Sequence, residues 1–250
     1  MTSFDSSAGT KLAQPGGRIA SRPLPFIWIC DVSGSMAGEK IQSLNYAIGE
    51  AIPHMQREAA TFPMSRVLVQ VVAFAADVEW VLREPTPLED LRWNDLVVPP
   101  RPRCLGTAAG AALEEVARVL PQPPETFRQP VLVLVTDGAP TDDFDAGLDR
   151  LLATLAGSKA NRIAIAIGQD ASYDLLARFN SDPQMPPLQA HNAQDLVRTV
   201  QWASSVPIRA SSIPKSRAAE TAADVPDDSL PSSVYFDHDR PPVSSGPMVF

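Results

Sequence analysis

The run Phe26-Ile27-Trp28-Ile29-Cys30 contains no polar residue and stops at Asp31. A strand that alternates apolar and polar residues covers one sheet face, whereas an unbroken run of strand length needs cover on both, as in a parallel sheet between helical layers. After the turn Val32-Ser33-Gly34-Ser35-Met36, the residues Ile41, Leu44, Ile48, Ile52 and Met55 recur at helical spacing and predict an amphipathic helix. Pro53 lies within that stripe and lacks an N–H, so a kink near 49–52 or an early helix end is expected.

The alternation continues along the chain. Val67 to Ala75 reads as a second strand. Val78 to Leu82 follows after a link too short for a parallel crossover, and is therefore expected as an antiparallel edge strand. Pro85 to Arg103 reads as a proline-rich loop with about one helical turn. Ala108 to Leu120 predicts a helix, Val131 to Thr136 a buried strand, and Asp143 to Ala156 a helix with Gly157 as its C-cap. Arg162 to Ile167 is a fifth strand, and Ser172 to Phe179 and Ala193 to Ser204 are helices around a short sixth strand near Pro187 to Ala190. The expected fold is α/β: a six-stranded, mostly parallel sheet with one antiparallel edge strand and helices on both faces.

A chain of 250 residues with 44% apolar residues supports one such domain, expected over 25–205. Residues 1–24 are polar, punctuated by Gly and Pro, and lack the apolar core of a signal peptide; they read as a flexible arm. In residues 206–250, 7 are Pro and 8 are Ser, apolar periodicity ends, and a disordered or partner-docking tail is expected. No stretch reaches the roughly 20 apolar residues that span a bilayer. A net charge of −8 argues against nucleic acid and anionic membranes as partners. Two cysteines, Cys30 and Cys104, are too few for a secreted disulfide framework, so a cytoplasmic protein is expected.

In an open parallel sheet, ligands bind beyond the carboxyl ends of the strands. Three loops are expected there with oxygen donors: Asp31, Ser33 and Ser35 in the first, with Gly34 permitting a bend between the hydroxyls, Thr107 in the second, and Asp137 in the third. Five oxygen side chains without His or thiolate describe a hard-cation site suited to Mg²⁺, with Mn²⁺ as a substitute. If the hydroxyls bind directly and the aspartates act through water, the ion retains positive charge, and a partner protein's Asp or Glu carboxylate completes its shell. Free N–H groups of the helix after Thr107 are expected to add positive potential.

Asp31-Val32-Ser33-Gly34-Ser35-Met36, Gly106-Thr107 followed by Ala112-Leu113, and Thr136-Asp137-Gly138 resemble the metal-ion-dependent adhesion site (MIDAS) of von Willebrand factor type A (vWA) domains. The resemblance spans about Pro25 to Ser205 and implies a Rossmann-like vWA fold that binds protein partners through Mg²⁺. Pro25-Phe26, Cys104-Leu105-Gly106-Thr107 and Asp137-Gly138-Ala139-Pro140-Thr141-Asp142 are similar to the bacterial TerY-like proteins associated with tellurium resistance. That narrower likeness implies a stress-response adaptor accompanying a Ser/Thr kinase and a PP2C-type phosphatase. Leu105 departs from the pattern, standing where many members have another glycine.

Each motif has a plainer reading. Asp-x-Ser-x-Ser after a strand is often a capping turn, Thr107 can cap its own helix, and Asp142, Asp143 and Asp145 read as caps of a helix start. Cys30 and Cys104 are read as small apolar residues before any redox pair, and His54, His191 and His238 are too dispersed for zinc. A non-enzymatic role is expected. A phosphohydrolase using Asp31 as nucleophile would want an acid/base two residues on, and Ser33 is a poor one. No Gly-x-x-x-x-Gly-Lys-Ser/Thr motif supports an ATPase. A scaffold that binds partners without metal remains the other reading.

Overall fold

The computed structural model describes residues 22–61, 66–121 and 127–212. Six strands form one sheet in the order β3-β2-β1-β4-β5-β6. They are β1 (Leu24–Asp31), β2 (Val67–Phe74), β3 (Val78–Pro87), β4 (Val131–Thr136), β5 (Asn161–Ile167) and β6 (Leu188–Ala190). All neighbours are parallel except β2 and β3. The helices are α1 (Glu39–Ala60), α2 (Ala109–Val119), α3 (Phe144–Ala153), α4 (Leu155–Lys159), α5 (Tyr173–Phe179) and α6 (Ala193–Ser212), with a 3-10 turn at Gly34–Met36.

The unbroken apolar strands are covered as the sequence demands. Phe26, Trp28 and Cys30 of β1 pack in one cluster with Leu44 and Ile48 of α1 and Leu196 and Val200 of α6. Ile27 and Ile29 point the other way, into a cluster with Leu113 and Val116 of α2, Leu148 of α3 and Phe179 of α5. The period-2 alternation of a strand thus divides one apolar run between two cores.

Several boundaries depart from expectation. Pro53 neither ends nor shortens α1, which continues to Ala60. Pro53 is exposed, and Gly49, four residues back, whose carbonyl it leaves without a donor, is only half-buried. β3 extends through Pro85 and Pro87 rather than ending at Leu82, because an edge strand tolerates residues that cannot donate to a ladder. The helix expected over 143–156 breaks at Thr154, whose hydroxyl accepts from Gly157 N at 2.9 Å and starts α4. Gly157 therefore lies inside α4 and is not a C-cap. α6 runs past Ser204 and the expected boundary at 205, carrying buried Ile208 against the core. The arm expected over 1–24 lies outside the described residues up to 21, and β1 already begins at Leu24; the tail expected over 206–250 lies outside them from 213 onward.

Arg162 on β5 is 7% exposed, with no carboxylate paired to it among the described residues. Its Nε donates to Phe179 O at 2.9 Å and its Nη1 to Gly157 O at 2.8 Å and Ala160 O at 3.3 Å, so one cation caps the C-terminal ends of α4 and α5. Burial lowers its tendency to hold the proton. Arg162→Met would relieve that desolvation but leave several buried carbonyls without donors, and the second effect dominates. A loss of about 2 kcal/mol is expected, read as a fall in Tm of roughly 4–8 °C. An unchanged Tm would show that water replaces the guanidinium.

Candidate metal centre

β1 lies where the strand order reverses: the chain leaves it through α1 to β2 on one side and returns through α2 to β4 on the other. The register pairs Cys30 with Val135, so Asp31 at the end of β1 and Asp137 just beyond β4 emerge side by side. The loop bearing Thr107 is pinned to them by backbone bonds, Gly34 N to Cys104 O at 2.9 Å and Ala108 N to Ala75 O at 2.7 Å. Gly34 eases this approach rather than a bend, since its φ is not positive and a Cβ there would lie tightly, 3.3 Å from Cys104 O.

The five predicted residues meet. Ser33 Oγ donates to Ser35 Oγ at 3.0 Å, and Ser35 Oγ donates in turn to Asp137 Oδ1 at 2.7 Å. Asp31 sits beneath them, accepting from Ser33 N at 2.8 Å through Oδ1 and from Thr136 Oγ1 at 2.5 Å through Oδ2. Ser33, Ser35 and Thr107 line one cavity of about 500 Å³, together with Thr141, Cys104, Leu105 and Arg101. Asp31 and Asp137 are buried behind that wall. The Asp31 carboxyl is pushed above its usual range by burial, opposed by the hydrogen bonds from Thr136 and Ser33, and raised further by the charge of Asp137.

The chemistry of this donor set fits a hard cation. Two ligands about 2.1 Å from Mg²⁺ and at right angles lie about 3.0 Å apart, which is the separation of the two serine hydroxyls. The Thr107 side chain makes no hydrogen bond among the described residues, so its oxygen is free to turn toward an ion. No cluster of three His, Cys, Asp or Glu side chains occurs among the described residues; hydroxyl oxygens are what this site offers.

Three expectations are corrected here. The N-terminus of α2 does not present free N–H groups to the crevice. Asp142 accepts from Gly110 N at 3.0 Å and Ala111 N at 2.8 Å and neutralises that helix end. Asp142 therefore caps α2 rather than the helix that follows it, while Asp143 caps α3 through Ala146 N at 2.9 Å and Asp145 pairs with Arg178. Thr107 caps nothing with its side chain; its N–H is held by Thr141 Oγ1 at 2.8 Å. Cys30 is buried and held as a thiol by that burial and, secondarily, by Asp31. His54 bonds Ser205 Oγ at 2.8 Å, well away from zinc chemistry, and His238 lies outside the described residues.

The sequence reads Thr136 and Thr141 only as parts of motifs and Asp142 as a cap of the helix that follows it, and it gives Lys40 no role. The adjacency of Thr136 and Asp137 at a strand end was the only available signal for the first. Lys40 Nζ donates to Asp137 Oδ2 at 2.6 Å.

A doubly wound α/β domain that gathers hydroxyl and carboxylate oxygens at its switch point defines the class. The sequence profile of the von Willebrand factor type A domain matches residues 27–201, and the chain belongs to that family. The family consists of protein-interaction modules, some of which use a metal-dependent MIDAS. No curated protein sequence matches the chain.

Among solved structures, a von Willebrand factor type A protein from Catenulispora acidiphila is similar at 16% identity with a TM-score of 0.56, covering 74% of this chain and 43% of that one. Proximal thread matrix protein 1 from the mussel byssus, with a zinc-occupied MIDAS motif, is similar at 16% identity and TM-score 0.53, covering 76% and 46%. The pilus adhesin SpaC from Lactobacillus rhamnosus GG, in an open conformation, is similar at 15% identity and TM-score 0.57, covering 76% and 30%. The chain spans less than half the length of each, and the likeness is one of fold. No helix among the described residues is long and apolar enough to cross a membrane.

Proposed function

We propose that the chain is a non-enzymatic, divalent-cation-dependent protein-interaction module, with Ser33, Ser35 and Thr107 as direct ligands of Mg²⁺ or Mn²⁺ and Asp31 and Asp137 acting behind them through water and charge. The observation that carries this reading is the 3.0 Å spacing of the two serine hydroxyls on the wall of the cavity that also takes Thr107. A cation bound there would offer a coordination position to a partner's Asp or Glu. Around that position the chain supplies its own docking surface: Leu105 is 59% exposed at the cavity, and Arg101, without an ion pair among the described residues, adds positive charge for an acidic partner. The enzymatic alternative is disfavoured because both Asp31 oxygens are engaged and the side chain does not reach the cavity wall.

Calorimetry with Mn²⁺ and Mg²⁺ on the wild type beside Thr107→Ala and Ser33→Ala tests the assignment. Each variant should lose about tenfold or more in affinity with its unfolding temperature in EDTA unchanged. Uptake of neither ion by the wild type would instead favour a scaffold that works without metal.

The narrower placement, a cytoplasmic TerY-like stress-response adaptor working with a Ser/Thr kinase and a PP2C-type phosphatase, is supported by the motifs Cys104-Leu105-Gly106-Thr107 and Asp137-Gly138-Ala139-Pro140-Thr141-Asp142. Purified kinase and phosphatase should then bind in Mg²⁺ and dissociate in EDTA; retention in EDTA would count against metal-dependent adaptor function.

A further inference from the structure

Lys40 is the second residue of α1, and a cation in the first turn of a helix is opposed by the helix dipole. The stability of α1 therefore does not account for it. What does is its partner: Lys40 Nζ lies 2.6 Å from Asp137 Oδ2, with the Asp137 side chain fully buried and that of Lys40 only 18% exposed. The other Asp137 oxygen is taken by Ser35 Oγ at 2.7 Å, so the carboxylate is shared between a built-in cation and a metal-ligand hydroxyl.

The charged groups bonded directly to the serine hydroxyl loop or to each other, Asp31, Asp137 and Lys40, carry formal charges that sum to −1, with Arg101 further along the cavity wall. A divalent ion brings that sum to +1. Without Lys40 the same residues would carry −2, and the loaded site would be neutral. In a buried setting such differences are weakly screened and act on whatever binds next.

We propose that Lys40 is a tethered counter-ion that weakens cation binding at this site and thereby leaves the loaded site positive for an acidic group. This rests on the metal reading above. It makes Lys40 a residue that sets the selectivity between the two binding steps without itself being a ligand. It also predicts that the metal-free domain is held together at Asp137 by its own ammonium group.

The test compares wild type, Lys40→Met and Lys40→Arg. Mn²⁺ titration calorimetry should show K40M binding about tenfold or more tightly than wild type, with K40R close to wild type because it keeps the charge. In EDTA, K40M should melt below wild type and regain the difference when Mn²⁺ is added. Acetate, titrated into the Mn²⁺-loaded proteins and followed by the Mn²⁺ electron-spin resonance line, should bind wild type several-fold more tightly than K40M. Metal affinity in K40M equal to or below that of wild type would overturn the counter-ion role while leaving the metal site intact. Tighter Mn²⁺ with unchanged acetate binding would overturn its effect on the acidic group. Absence of Mn²⁺ binding in all three proteins would remove the metal reading itself, and this inference with it.

Discussion

Asp31→Asn is expected to weaken cation binding severely while leaving the metal-free protein as stable as wild type at neutral pH, or more stable. The side chain is fully buried, and its charge faces that of Asp137. Asparagine keeps the shape, and its amide can donate to Thr136 Oγ1 while its oxygen accepts from Ser33 N, so both present hydrogen bonds have a counterpart. What is lost is one negative charge beneath the hydroxyls, and a fall in Mn²⁺ affinity of roughly 100-fold is expected from a charge deleted in a poorly screened site. The sign with pH follows from the raised carboxyl. The folded state holds the Asp31 proton more tightly than the unfolded chain, so the contribution of Asp31 to stability is fully present below the unfolded value of about 3.9 and lost as pH rises through the higher folded value. In EDTA, the Tm advantage of Asp31→Asn over wild type should therefore grow from about pH 4 to neutrality. A variant that melts well below wild type at neutral pH would show that Asp31 is chiefly structural.

Gly147→Ala and Gly49→Ala are expected to have opposite signs although the chemical change is identical. A Cβ on Gly147 of α3 would sit 2.2 Å from Gly110 O, and one on Gly110 of α2 would sit 2.3 Å from Asp143 O, all of them backbone atoms. The two helices touch main chain to main chain, and nothing there is flexible enough to yield. Gly147→Ala must push α3 away from α2, with a loss of about 3 kcal/mol or more and a Tm lower by roughly 10 °C. A Cβ on Gly49 of α1 meets nothing within 4 Å, so alanine there should stabilise by about 0.5–1 kcal/mol through helix propensity and reduced unfolded-state entropy. Thermal unfolding of the two single variants decides it; a mild effect at Gly147 would mean that the α2–α3 contact can slide.

The contrast shows what was legible in the sequence. The strands of the sheet interior could be read directly because Phe26 to Cys30 and Val131 to Val135 need cover on both faces, and one-dimensional periodicity records that need. The five oxygen-bearing residues could be placed at one rim because Asp31, Ser33, Ser35 and Asp137 lie at or just past the ends of β1 and β4 and Thr107 lies just before α2. Asp142 could not, because its partners Gly110 and Ala111 lie some thirty residues back in a different helix; the local pattern of an aspartate before a helix pointed to the wrong one. The Gly110–Gly147 contact and the Lys40–Asp137 pair are likewise properties of how elements dock. Thr154 breaks a continuous leucine stripe because its hydroxyl competes for Leu151 O at 2.8 Å, a local bond that apolar spacing does not encode.

The outer strand has a bearing on how the molecule meets its neighbours. An uncovered sheet border is a template on which a second chain can extend the sheet, and such self-addition would compete with recognition at the cavity. Along β3 the exposed positions are Glu79, Val81, Arg83, Glu84 and Pro85, so charged residues flank the one apolar side chain, and Pro85 and Pro87 supply no N–H for a further ladder, while the opposite border, β6, spans only Leu188 to Ala190. Neither flank invites polymerisation. If the cavity binds a partner as proposed, sides that resist sheet extension leave its rim as the surface open to association.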